Sequence, residues 1–348
     1  MIKKSTYKNS ALFTALLALL MLALVLGISI GAVAIKPSAV IQILLSQLPG
    51  LVHLTGHDWL PEHETILITM RMPRVLLAAL VGAGLSLAGA TFQGLFRNPM
   101  ADPYVIGVSS GAALGAVSSI LLQTTFRFSM NYGIPAFAFL FALFTIALVY
   151  NLARVGGKVP VMTLLLSGIA VNSLLTALVS LCQFFSGDQL HQVVFWLMGS
   201  FSGRGWNYVN IFIPYGLVGA IIVFVYAREL NAMLLGEESA QHLGVEVERV
   251  KRRLLIAAAI LTGACVSVSG LIGFVGLVIP HVVRLVFGPD HRTLLPAVAL
   301  IGAIFLLLAD IISRIIIAPG ELPVGIVTAL VGGPFFIYLL RRQKNTMF

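Results

Sequence analysis

Residues 11–35 read ALFTALLALLMLALVLGISIGAVAI, twenty-five consecutive residues without a charged side chain. A helix that crosses a membrane needs about 20 predominantly apolar residues, so this run is long enough to span. A secretory signal core holds only about 7–15 apolar residues. The run therefore predicts a retained first helix, although Lys3, Lys4 and Lys8 precede it and Ala32-Val33-Ala34 has the form of a cleavage site. The rest of the chain has the same character. Over 348 residues, 59% are hydrophobic and 10% charged, with a mean hydropathy of +1.00. A soluble domain carries roughly 25% charged residues to cover its surface in water. A soluble enzyme is thereby excluded, and so is a disordered chain, which needs low hydrophobicity. The apolar runs are long and continuous, unlike the short alternating segments of a transmembrane barrel. The expected fold class is all-α, a polytopic membrane protein.

Ten spans are expected: 11–35, 67–96, 103–123, 134–154, 160–186, 206–227, 250–269, 273–287, 294–316 and 323–341. The apolar part of the second begins near Val75, and Pro280 interrupts the short eighth. Ten spans put both termini on one side. With both in the cytoplasm, sixteen of the 22 Lys and Arg fall on inner segments, and six fall outside. That bias follows the positive-inside rule. The net charge of +9 is then an inner-loop excess, not a footprint for nucleic acid. The longest polar stretches, 36–66 outside and 228–249 inside, are too short for a soluble domain of ordinary size. Cys182 and Cys265 both lie in apolar runs and form neither a disulfide framework nor a Cys-x-x-Cys motif.

An internal repeat is visible. Gly82-Ala83-x-x-Ser86-x-x-Gly89 recurs as Gly263-Ala264-x-x-Ser267-x-x-Gly270, and at the same offset Pro99 matches Pro280 and Gly107 matches Gly288. The expected topology runs the second and seventh helices in opposite directions. The chain divides into two inverted halves, about 67–186 and 250–341, within a single transmembrane domain. Inverted repeats with interrupted helices are typical of transporters.

Catalytic signatures are missing from the sequence. It has no G-x-x-x-x-G-K-[ST] phosphate loop, no H-E-x-x-H and no G-x-S-x-G. Asp310 and Arg314 sit four apart on the ninth span, so they share a face and can pair. Gly107, Gly111 and Gly115 make a small-residue stripe, read as helix packing. His53, His57 and His63 lie in the outer loop near Asp58, Glu62 and Glu64. They are read as solvated residues, with zinc binding the less favoured alternative. His281, after Pro280, is read as a backbone hydrogen-bonding residue.

The inner segment 228–249 reads as two very short helices. Gly236 separates them and Gly244 stops the second. Glu237 and Glu238 suit the first turn of the second helix, where the dipole favours negative charge. Leu234, Leu235, Ala240 and Leu243 give the segment an apolar side facing the cytoplasm. It is either a loop resting on the bilayer surface or a docking surface for a soluble partner.

Several segments together carry a family resemblance. They are Arg71-Met72-Pro73-Arg74, Gln93 through Pro103 (QGLFRNPMADP), Gly107 through Ala112 (GVSSGA), Leu235-Gly236-Glu237 through Leu243-Gly244, Gly273 through Arg284 (GFVGLVIPHVVR), Asp290-His291-Arg292, and Glu321 through Gly325 (ELPVG). The chain resembles the permease subunits of ATP-binding-cassette importers for iron–siderophores, haem and vitamin B12, from about Arg71 to Arg342. The resemblance implies a homodimer in a bacterial cytoplasmic (inner) membrane, both termini cytoplasmic. Two ATP-binding subunits dock inside and a substrate-binding protein docks outside. ATP and Mg belong to the partner subunit, and this chain binds no cofactor. The coupling residues implied are Leu230, Met233, Leu234, Leu235, Gly236, Glu237, Glu238, Ala240, Leu243 and Gly244. Arg71, Arg74 and Arg314 match positions that meet acids on the binding protein. The translocation pathway, on the fifth and tenth spans, would carry Ser167, Asn172, Ser173 and Thr328. Asn98, Pro160, Val161 and Met162 match the inner gate. That gate is polar in the vitamin B12 importer, whereas Pro160, Val161 and Met162 are mostly apolar. Iron–siderophore is the expected substrate, with haem and vitamin B12 as alternatives. A free metal-ion importer, an ion-driven secondary transporter and an intramembrane enzyme are less favoured.

Overall fold

The computed structural model describes residues 2–31, 33, 35–47, 59–126, 130 and 132–344. The helices follow in order: α1 (Ile2–Ser29), α2 (Pro37–Ser46) and α3 (Pro61–Thr65), then a π-helical turn (Ile66–Arg71) that leads directly into α4 (Met72–Phe96). A 3-10 turn (Pro103–Ile106) precedes α5 (Val108–Thr125), α6 (Gly133–Leu152) and α7 (Val161–Phe184). Then come α8 (Leu190–Leu197), α9 (Trp206–Val225), α10 (Ala227–Leu234), α11 (Glu237–His242) and α12 (Val247–Ser269). The chain closes with α13 (Val275–Phe287), α14 (His291–Ile315) and α15 (Val324–Lys344). Among the described residues, seven helical stretches are long and apolar enough to cross a membrane. The other three expected spans correspond to α5, α13 and α15. Ser, Thr and Gln dilute the apolar character of α5, and α13 is short, with Pro280 inside it.

The second span starts earlier than its hydropathy suggests. Pro61 stands in the first turn, where its missing N–H costs nothing, and Glu62 and Glu64 suit the positive helix end. The helix thus begins inside the stretch read as an outer loop. His53 and His57, with Asp58, lie outside the described residues. Nearby, Glu64 accepts hydrogen bonds from Gln47 and from the Trp59 indole, both at 3.1 Å.

The centre of the bundle is α4, which packs against α14, α12, α13, α9, α10 and α1. Lipid tails are as apolar as leucine, so helices in a membrane associate through close packing of small residues. Gly82 meets Gly302 of α14, and Gly89 meets the backbone of Gly276 in α13. A side chain at either glycine would collide with backbone. The direction of α4 is opposite to that of α14: Arg74 meets Asp310 at one end, and Gly94 meets His291 at the other. It also opposes α12, since Cys265 Sγ lies 3.6 Å from the Val81 carbonyl while Gly84 faces Leu261. The stretches around α4 and α12 are 78% buried, against 28% for α7. Hence α7 presents a broad apolar face outward, including Leu166, Ile169, Leu174 and Leu181.

The repeated motif lies on α4 and α12, which pack side by side. From its last glycine onward, the shared offset lands on unlike structures. Gly89 is interior to α4, whereas Gly270 (φ +73) closes α12; Pro99 sits in a turn, whereas Pro280 lies inside a helix. Gly111 and Gly115 abut Phe141, Thr145 and Phe137 of α6. Gly107 does not share their helix; it is the left-handed joint (φ +87) between the 3-10 turn and α5.

Candidate functional site

At the α14 C-terminal end of the bundle, Arg74 binds two carboxylates at once. Its Nε and Nη2 donate to Asp310 at 3.0 and 2.9 Å, and its Nη1 donates to Glu321 at 2.8 Å. The fork geometry of guanidinium makes this possible. Arg314 pairs with Asp310 at 3.2 Å, the expected one-turn contact. It also donates to the carbonyls of Gly27 and Ile30 at 2.9 and 2.8 Å. Arg71 donates to the carbonyls of Ile28, Ser29 and Val33. The last carbonyls of a helix have no intrahelical partner, so Arg71 and Arg314 together cap α1. Burial alone would raise the Glu321 carboxyl, but the Arg74 guanidinium outweighs it and holds the group below the usual carboxylate range.

The three arginines matched to docking positions are therefore buried, at 6%, 9% and 5% exposure, and engaged with this chain's own groups. Beside them opens a cavity of about 570 Å³, lined by Arg71, Arg74, Arg204, Arg314 and Glu321. Arg204 rests over the ring of Tyr208, 4.3 Å from its centre.

At the opposite end, α10 and α11 meet at Gly236, whose φ of +113 favours glycine. The segment does not present one apolar side. Leu230, Met233 and Ala240 are buried in the chain, at 0%, 1% and 0% exposure. Leu235 and Leu243 stand out at 68% and 65%, and Leu234 is half-buried. The helical period splits the apolar residues between an anchoring face and an exposed edge. Glu237 and Glu238 occupy the first turn of α11, and Gly244 (φ +85) follows its end.

A polar cluster ties α10 to α14. Asn231 Nδ2 donates to Asp290 at 2.6 Å. Asn231 Oδ1 accepts from the His291 N–H at 2.8 Å and lies 2.8 Å from His291 Nδ1. That oxygen only accepts, so Nδ1 carries the hydrogen. Asp290 also caps α14 by accepting from the Arg292 N–H at 3.0 Å. Burial would raise the Asp290 carboxyl, but the bonds from Arg292 and Asn231 hold it below the ordinary value.

The expected pathway residues are placed unequally. Ser167 and Asn172 are half-buried on α7, and Ser173 is exposed with its hydroxyl donated to the Ile169 carbonyl at 3.0 Å. Thr328 is fully buried and donates to the Gly325 carbonyl at 3.1 Å. Pro160 is the N-cap of α7, Val161 is half-buried, and Met162 is 68% exposed. Asn98 is exposed in the turn after α4, where its Oδ1 accepts from the Met100 N–H at 2.9 Å.

Comparison with known proteins agrees with this architecture. Residues 19–342 match the model of the FecCD transport family. The chain belongs to the FecCD transport family. A cobalamin import system permease of Halobacterium salinarum is 49% identical over 82% of this chain and 76% of that one. A hemin transport system permease of Yersinia pestis is 45% identical over 80% of this chain and 84% of that one. A solved chain described as a metal-chelate type ABC transporter in an inward-facing conformation superposes with a TM-score of 0.82. It is 33% identical, and the match covers 96% of this chain and 99% of that one. This FecCD protein is thus an integral membrane permease of an ABC importer. It is a transport subunit, and ATP hydrolysis belongs to a separate subunit.

Some features of this FecCD permease were not expected from its sequence. The reach of Arg74 to Asp310 and Glu321 joins residues more than 230 positions apart, which no local spacing reveals. The Asn231 cluster had a partial signal in Asp290, a favourable N-cap just before an apolar run. Tyr104 is a third. Its hydroxyl donates to the Ile272 carbonyl at 2.8 Å and accepts from the Ile272 N–H at 3.1 Å. It thereby satisfies irregular backbone between α12 and α13, where a buried unpaired N–H or C=O would be costly.

Proposed function

We propose that this permease works as a homodimer in a bacterial cytoplasmic (inner) membrane and imports a metal chelate, iron–siderophore first. The α10–α11 end faces the cytoplasm and the Arg74 end faces outward, an orientation supported by the bias of Lys and Arg. The chain is one transmembrane domain with two halves, about 67–186 and 250–341. Membrane lipid surrounds it, and it takes no nucleic-acid partner or cofactor of its own. Two ATP-binding subunits, carrying ATP and Mg, dock on the α10–α11 segment. The observation that carries this reading is the exposed pair Leu235 and Leu243 on a segment anchored by buried Leu230, Met233 and Ala240.

ATP binding closes the ATPase pair and moves α10–α11, which switches the pathway between outward- and inward-open. The pathway runs between the exposed faces of α7 and α15 of two copies, past Ser167, Asn172 and Ser173, with Asn98 and Pro160 to Met162 at the inner gate. A substrate-binding protein docks outside. There Arg71, Arg74 and Arg314 shape the arginine-lined cavity that attracts its acids. A loaded binding protein delivers the chelate, so a weakly binding, largely apolar pathway suffices. The similarity to permeases named for cobalamin and hemin supports vitamin B12 or haem as the second reading.

The test is the double variant Leu235→Ala, Leu243→Ala, reconstituted in liposomes with the ATPase and the loaded binding protein. Uptake falls at least tenfold while the variant inserts normally. Uptake at the unmodified rate would remove the docking role.

A further inference from the structure

Lys251 is a cation buried where sequence offered no reason for one. It lies on α12 at 5% exposure. Its ammonium binds groups from three directions: Glu237 of α11 at 2.7 Å, Glu248 of its own helix at 3.3 Å, and the Val159 carbonyl at 3.4 Å. Glu248 in turn accepts from the Val159 N–H at 3.2 Å. Both backbone polar groups of Val159 are therefore held by the Lys251–Glu248 pair. Val159 immediately precedes Pro160, whose fixed backbone opens α7 at Val161 and Met162.

We infer that Lys251 is a positioning residue that carries movement of the coupling segment to the inner gate. Glu237 is the α11 end of the link and Val159 is the gate end. Lys251 joins them, and α12, buried along most of its length, is the fixed body between. The chemistry suits transmission. A buried ammonium must keep its partners, because leaving it unpaired in a low-dielectric interior is unfavourable. A displacement of Glu237 therefore either draws Lys251 with it or hands Lys251 wholly to Glu248 and Val159. Each alternative changes the restraint on the start of α7. The arrangement is a switch with two bonded states, not a passive filler.

This rests on the reading of α10–α11 as the ATPase contact and of 160–162 as the gate. The experiment measures substrate molecules transported per ATP hydrolysed, using the permease with its ATPase and loaded binding protein in liposomes. Lys251→Met keeps the stem and removes the charge, and the ratio falls at least tenfold. Lys251→Arg restores it to within about threefold. Glu237→Gln, at the half-exposed end where folding is least at risk, lowers the ratio by a similar factor, and the Lys251→Met, Glu237→Gln pair falls no further than either alone. An unchanged ratio in Glu237→Gln, or a double variant whose losses multiply, overturns the relay. Leu235→Ala, Leu243→Ala is run alongside. If that variant uncouples and the Lys251 and Glu237 variants do not, the relay is wrong and the docking reading stands. If it stays coupled, docking and relay fall together.

Discussion

Arg74 shows how much one side chain can organise. It neutralises Asp310, a carboxylate with no exposure at all, and reaches Glu321 beyond the end of α14. Breaking a buried pair outright typically costs about 3–5 kcal/mol; removing Arg74 leaves Asp310 with Arg314 alone and Glu321 without its arginine, so the loss here lies below that range. Arg74→Ala should therefore lower the thermal unfolding temperature of the detergent-solubilised permease markedly. Arg74→Lys should fall between, because an ammonium cannot fork to two carboxylates. A melting curve for Arg74→Ala like that of the unmodified chain would show that Asp310 finds other cover. Asp290 gives the pH counterpart. Its folded-state pKa is depressed, so its contribution is present above the ordinary Asp value of 3.8 and is lost as pH falls through the lower folded value. Asp290→Ala, which removes the cap of α14, should cost about 1 kcal/mol at neutral pH. The difference from the unmodified chain should shrink toward zero below that range. A difference growing on acidification would contradict the assignment. The Asp310–Arg314 pair was legible at this scale because its spacing is local. Arg74–Asp310 was not, because the antiparallel packing of α4 on α14 brings it together.

Elements show the same division. Each expected span corresponds to a helix, because a long apolar run has one stable answer in a membrane. Their ends were less legible. Hydropathy does not register Pro61, Glu62 and Glu64, whose capping chemistry starts the second span early. The α10–α11 segment forms the two short helices around Gly236 that its sequence implies, yet its apolar residues do not share one side. In a helix of one or two turns, one residue's shift in register decides whether a leucine anchors or protrudes. Packing settled that Ala240 is inside and Leu235 outside. The α5–α6 contact carries its own prediction. Gly111 and Gly115 allow α6 to approach at backbone distance, so Gly111→Leu should push the helices apart. It should lower the yield of folded permease at least severalfold, measured by size-exclusion in detergent, whereas Ala116→Gly should be mild. Equal yields would show that α5 and α6 can separate without loss.

The whole molecule is a bundle whose most buried helices, α4 and α12, connect two polar ends. One end holds the α1 cap and the arginine-lined cavity; the other holds Asn231, Lys251 and the exposed leucines. A chain this poor in intramembrane charge suits a conduit driven by partners better than an ion-coupled pump. Membership of the FecCD family fixes the ABC importer class, while the chelate is left to the proposed pathway. The most direct test is therefore ATP-driven uptake by the purified permease with its ATPase in liposomes. The binding protein is loaded in turn with a ferric siderophore, haem and vitamin B12. The account predicts ATP-dependent accumulation, greatest for the ferric siderophore. Failure of any ATPase to copurify, with uptake that follows an imposed ion gradient instead, would contradict it.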